Sequence, residues 1–288
     1  MSDAWTRFHD SVTGAVSSRD SLEQFDLGAL ASLDAAGREQ AEALLASRLD
    51  HDDPRVVTAL AQLSTPSASV LLRGLADRPE ASFMRIAAVA LLRDAAAMAD
   101  VLTRTGRDDL RIAAAVAAAA LPSHAELDAG LLAAARACHE PTARHALVDA
   151  ALTRRGRGPS LRTPPDASFW VLPLVASQVP AVRAWGLARL ETAGSPVARQ
   201  DPRYDRLRDA LGDPAAPLDE VLTPLASDAD DRAWAIDALI WRLGKGDARA
   251  PAAMVRLGAH AARPVLEAVA QNPSGDLAAE VARALGAL

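Results

Sequence analysis

The chain has 288 residues, of which 50% are hydrophobic, 3% aromatic and 24% charged, and its net charge is −6. Alanine, the strongest helix former, supplies nearly half of the hydrophobic content, and the scarcity of aromatics argues against a β-rich fold or one thick core. An acidic balance also disfavours a general nucleic-acid-binding surface, which needs a basic excess.

In chain order, residues 1–20 place Trp5, Phe8, Val12 and Val16 on one helical stripe, a capping helix for the helices beyond it. The same opening lacks the apolar core of a secretion signal. After a looser stretch at 17–26, residues 35–49 and 53–63 predict two amphipathic helices. The second opens with Asp53 as N-cap, Pro54 in the first helical position and Arg55 next. That order returns in 66–76 followed by 80–93 with Arg85, and in 95–105 followed by 107–121 with Arg111. Stretch 107–121, RDDLRIAAAVAAAAL, contains the longest apolar run, which is about half of what a bilayer span requires. Next come 123–137 and 140–154 with Arg144. Between them Cys138, the only cysteine, rules out a disulfide or a thiolate metal cluster within one chain.

An Arg-, Gly- and Pro-rich linker at 156–168 interrupts the pattern. It resumes with 169–177 before 179–193, which carries Arg183, and with 218–227 before 230–243, which carries Arg232. An insertion at 195–217 holds a short helix at 204–211, and 247–257 reads as an extra half-repeat. Residues 259–270 precede 276–288, where the arginine is lost. The first four arginines stand about 30 residues apart, the period of helical-pair repeats. Pro173, Pro224 and Pro264 recur in the first helices, and a proline inside a helix removes one backbone bond and bends it.

These marks resemble HEAT repeats, and more closely the short bacterial, PBS-lyase-type variety. In that family a first helix, often kinked by proline, leads through an aspartate-bearing turn to a second helix opening Asp-x-x-Val-Arg. The matching positions are Asp53 and Arg55, Asp109 and Arg111, Asp231 and Arg232, and Val182 and Arg183. The resemblance covers residues 35–288 and departs at both insertions and in the last repeat, where Ala278 and Ala279 stand near the arginine position. It implies an all-α, right-handed α-solenoid of about six or seven helical pairs. Residues 1–34 would cap a first block at 35–155, and 169–288 would form a second. It also implies a structural role for the aspartates and arginines. A cytoplasmic, monomeric, non-enzymatic scaffold or adaptor without cofactor would then hold a protein partner on its concave face.

Four clusters are candidates for chemistry. Trp234, Asp237 and Trp241, spaced i, i+3 and i+7 with Arg242 adjacent, put an acid between two indoles on one helical face. This arrangement is similar to that of HEAT-like alkylpurine DNA glycosylases, in which such residues hold a cationic base, and it frames the alternative of a small-ligand or base-processing enzyme. His139–Glu140 resembles one of the dipeptides that bind iron in deoxyhypusine hydroxylase, but only one is present. The run from Asp50 through His51 and Asp52 to Asp53 offers carboxylates for a divalent cation, although a capping turn accounts for it more simply. Arg154, Arg155, Arg157 and Arg162 form the one basic cluster, either a docking site for an acidic partner or a solvated linker. No phosphate-binding loop, dinucleotide fingerprint or nucleophile triad accompanies them.

Overall fold

The computed structural model describes residues 3–14, 25–155, 171–192, 202–271 and 276–288. Among them the chain is all-helical, with eighteen α-helices, two short 3-10 segments and no strand. None of these helices is long and apolar enough to cross a membrane. The chain forms two compact units, Met1–Ala134 and Ala135–Leu288.

The first unit runs through α1 (Asp3–Thr13), α2 (Leu27–Ala31), α3 (Ala35–Ala46), α4 (Pro54–Leu63), α5 (Pro66–Ala76), α6 (Phe83–Leu92), α7 (Ala95–Arg104) and α8 (Asp108–Ala119) into α9 (Ala125–Ala137). Its helices begin where the sequence supplies an oxygen for the first free N–H groups. Asp34, Asp53, Thr65, Ser82 and Asp94 each accept a backbone N–H two or three residues on. In α1 Phe8 and Val12 are buried, as the stripe requires, whereas Val16 lies outside the described residues. α2 has no counterpart among the predicted helices. It starts at Asp26, whose carboxylate caps Ala29 and takes the Arg7 guanidinium at 3.1 Å.

Within this unit α4 packs against α3, α5 and α6, and α6 packs against α5, α7 and α8. Each second helix therefore touches its own first helix and the next second helix. The buried faces are made of Val56, Val57 and Leu60 in α4 and Met84, Ile86 and Val89 in α6. In α8 the buried residues are Leu110 and three alanines. Alanine at these contacts lets the helix axes come close.

The second unit contains α10 (Pro141–Arg154), α11 (Val171–Val175), α12 (Pro180–Thr192), α13 (Pro202–Gly212), α14 (Asp219–Leu222), α15 (Ala229–Leu243), α16 (Ala250–Arg256), α17 (Arg263–Ala270) and α18 (Asp276–Ala287). α10 packs on α11 and belongs here, although the sequence grouped residues through 155 with the first block. The 156–168 linker and residues 193–201, where the 195–217 insertion begins, fall outside the described residues. α15 is the centre, touching α11, α12, α13 and α16.

Two of the three prolines sit elsewhere than in the middle of an α-helix. Pro224 lies in a 3-10 segment, Thr223–Leu225, that continues α14, and the Ala226 N–H is shared between the carbonyls of Leu222 and Thr223. A residue with no N–H suits a tightened last turn. Pro264 occupies the first turn of α17, where a missing N–H costs nothing. Pro173 is the third residue of α11.

Candidate functional site

The tryptophan-bearing helix is the richest in polar side chains that the fold encloses. Asp228 starts α15 by accepting the N–H groups of Asp230 and Asp231. One turn in, Asp231 is fully buried, takes the Tyr204 hydroxyl of α13 as donor, and pairs with Arg203 at 2.9 Å. Trp234, 2% exposed, stacks on the Tyr204 ring with centroids 4.3 Å apart and planes tilted by 29°. Asp237, 1% exposed, accepts the Trp185 indole N–H at 2.7 Å on one oxygen and the Arg189 Nε at 2.9 Å on the other. Burial pushes the Asp237 carboxyl above its ordinary range, and the Arg189 charge and the Trp185 hydrogen bond oppose that rise.

The spacing placed Trp234, Asp237 and Trp241 on one helix, but they do not meet in one cleft. Trp234 is covered by Tyr204, and both oxygens of Asp237 are occupied from α12. Trp241 alone of the three reaches a surface cleft, of about 270 Å³, bordered by Pro173, Ser177 and Lys245. Arg242 binds Asp247 at 3.1 Å, and its guanidinium lies 5.7 Å from the Trp241 ring centre. This constellation ties α15 to α12 and α13 and leaves no free carboxylate facing an indole pocket.

The helix-opening arginines have a common use in several places. The last carbonyls of a helix have no intrahelical partner and need donors. Arg85 donates to the carbonyls of Ala76 and Pro79, at and after the end of α5, and to Asp100 of α7 at 2.6 Å. Arg144, 2% exposed, donates to the carbonyls of Cys138 and His139 after α9 and to Val175 at the end of α11, at 3.1, 2.8 and 2.7 Å. Arg183 reaches the Ser177 carbonyl after α11 at 3.3 Å. Two of the expected Asp/Arg matches differ. Arg111 pairs with Asp108, while Asp109 takes Arg107. Arg232 is exposed, and Asp231 beside it points inward. Arg249, which the sequence did not single out, closes the end of α13 by donating to Ala210, Asp213 and Ala216 while Asp247 grips it bidentately.

Glu140 of the His139–Glu140 dipeptide caps α10 through the Ala143 N–H, and Cys138 is buried. In the 50–53 run, Asp53 caps α4 and holds Arg55, and Asp52 accepts the Met84 N–H at 3.0 Å. Among the described residues no three metal-ligating side chains come together. Of the basic cluster, Arg155 donates to the Leu190 carbonyl and Arg154 ends α10, while Arg157 and Arg162 lie outside the described residues. Trp185, Arg189 and Tyr204 were missed as well. Trp185 and Arg189 share a face of α12 at i and i+4, but their partner is 52 and 48 residues away. No family model, curated protein or solved structure matches the chain.

Proposed function

We propose that the protein is a non-enzymatic interaction module, a HEAT-like right-handed α-solenoid that holds a protein partner on the face presented by its second helices. The stacking of α4, α6 and α8, each with its own first helix, supports the repeat reading.

The observation that carries the binding role is the distribution of exposed aliphatic side chains. Val70, Leu91, Leu92 and Val116 are 69%, 48%, 40% and 68% exposed, and all four belong to the first unit. Leu91 and Leu92 are on or beside the end of α6, and Val116 is on its neighbour α8. Large aliphatics left in water on adjoining helices favour burial by a partner. The polar clusters of α15, by contrast, are used up in holding helices together.

The test is capture from native lysate with the tagged full chain beside a Leu91→Asp/Val116→Asp variant. The reading expects a stoichiometric protein held by the parent and lost by the variant, with thermal midpoints within a few degrees of each other because both sites are already solvated. Equal capture by both chains would sink it.

A further inference from the structure

A second surface, distinct from the α6/α8 aliphatics, carries a different chemistry. Ala252, Ala253 and Arg256 of α16, with Arg249 just before the helix, line a cavity of about 570 Å³. That volume is in the range of ligand sites. Five alanines, Ala252 and Ala253 among them, are in its lining. One wall is α18, through Glu280 and Arg283, and the other is the connector into α14, ending at Asp219.

The arginines differ in what holds them. Arg249 is locked by Asp247 and by three carbonyls. Arg256 and Arg283 are 55% and 70% exposed, and each is paired with one carboxylate at the cavity: Arg256 with Asp219, Arg283 with Glu280. Exposed ion pairs add little net stability, since each charge is almost as well solvated apart. The two pairs are therefore exchangeable. Asp219 and Glu280, 61% and 26% exposed, each contact one guanidinium nitrogen, and an incoming carboxylate can compete for either arginine.

We propose that this trench binds an acidic peptide segment of a protein partner, with Arg256 and Arg283 each taking a carboxylate and Ala252 and Ala253 seating the small side chains between them. The two cations stand on packed helices, whose axes are typically about 8–10 Å apart, and alanines line the same cavity. A chain with carboxylates on either side of small residues fits that layout, whereas a single compact anion covers only one fork. The proposal rests on the interaction-module reading only in taking its ligand from a protein.

The experiment is fluorescence anisotropy of the full chain with a fluorescein-labelled glutamate–alanine peptide and its glutamine–alanine counterpart. The glutamate peptide is expected to bind about tenfold tighter at low salt, and Arg256→Glu or Arg283→Glu to cost about tenfold with an unchanged thermal midpoint. Asp219→Asn and Glu280→Gln, which remove the internal competitors, are expected to tighten binding severalfold, while Glu80→Gln in the other unit leaves it unchanged. Equal binding of the two peptides, indifference to the arginine reversals, or a Glu80→Gln effect as large as that of Asp219→Asn would overturn the proposal. So would citrate binding as tightly as the peptide, the signature of a small-anion site. None of these outcomes bears on Leu91 and Val116, so this inference and the interaction-module reading fail separately.

Discussion

Arg144 has no carboxylate among its hydrogen-bond partners, yet it is almost completely buried. Burial and the nearby Arg183 charge lower its proton affinity, but a guanidinium stays charged throughout the ordinary pH range. Three carbonyl dipoles at helix ends take the place of a counter-ion. A lysine carries one ammonium and cannot reach three acceptors in that fork, so Arg144→Lys should cost about 2 kcal/mol, read as a lowered urea midpoint. An unchanged midpoint would show that water serves those carbonyls equally well. Asp237 makes the opposite kind of test. Its carboxyl is held above the ordinary value of 3.8, so in the folded state it takes up a proton more readily than in the unfolded chain. Its contribution to stability is therefore greatest below pH 3.8 and declines as pH rises through the raised value. Asp237→Asn keeps an acceptor for Trp185 and removes the titration. The stability of the parent relative to this variant should fall as pH rises above 3.8, and a constant difference would contradict the burial argument.

Whether a helix forms was written locally; what it faces often was not. The boundaries of α4 and α5 follow from a capping oxygen, a first-turn proline and an apolar period within a dozen residues, and the start of α10 follows from its cap and proline. α2 escaped notice because five residues are too short to display a period. The pairing of α12 with α15 escaped for another reason, since Trp185 and Asp237 are joined only by tertiary folding. The arginine recurs visibly along the sequence, but its use depends on where the preceding helix ends, and so Arg232 is exposed and Arg249 was not singled out. Gly186 shows the limit most sharply. It is a glycine in the middle of α12, where alanine would favour the helix by about 1 kcal/mol. A Cβ there would stand 2.7 Å from the Leu174 Cβ and 2.9 Å from the Val175 nitrogen of α11. Backbone cannot yield as a flexible side chain does, so Gly186→Ala should destabilise by about 1–3 kcal/mol despite the better propensity. Thermal unfolding of this variant beside Gly74→Ala, a site with open space around it, separates the two effects. A stabilised Gly186→Ala would mean that α11 and α12 shift apart at little cost.

Among the described residues, the carboxylates that act as caps and arginine partners set the response to acid. Asp100, which accepts Arg85 and Arg104, titrates below the ordinary carboxylate value, as do Asp26, Asp109 and Glu140 through their backbone or arginine donors. For Asp53 and Asp247 burial pulls upward, but Arg55 and Arg249 outweigh it. Each of these six groups binds protons less readily folded than unfolded. Their contribution is present above the ordinary values, 3.8 for aspartate and 4.5 for glutamate, and is lost as pH falls through the lowered ones. Both units contain such groups. Protonation also leaves 31 lysine and arginine side chains without counter-charge, which adds self-repulsion to the lost caps. Among the described residues Asp237 is the one carboxyl shifted in the other direction. Its single raised value cannot offset six lowered ones. The urea midpoint should therefore hold from pH 7 to about pH 5 and drop steeply below pH 4, and Asp237→Asn should make that drop steeper. Arg85→Gln, which removes one of the donors that depress Asp100, should make it shallower. A midpoint that stays level down to pH 3 would mean that the carboxylate–arginine pairs persist in the unfolded chain.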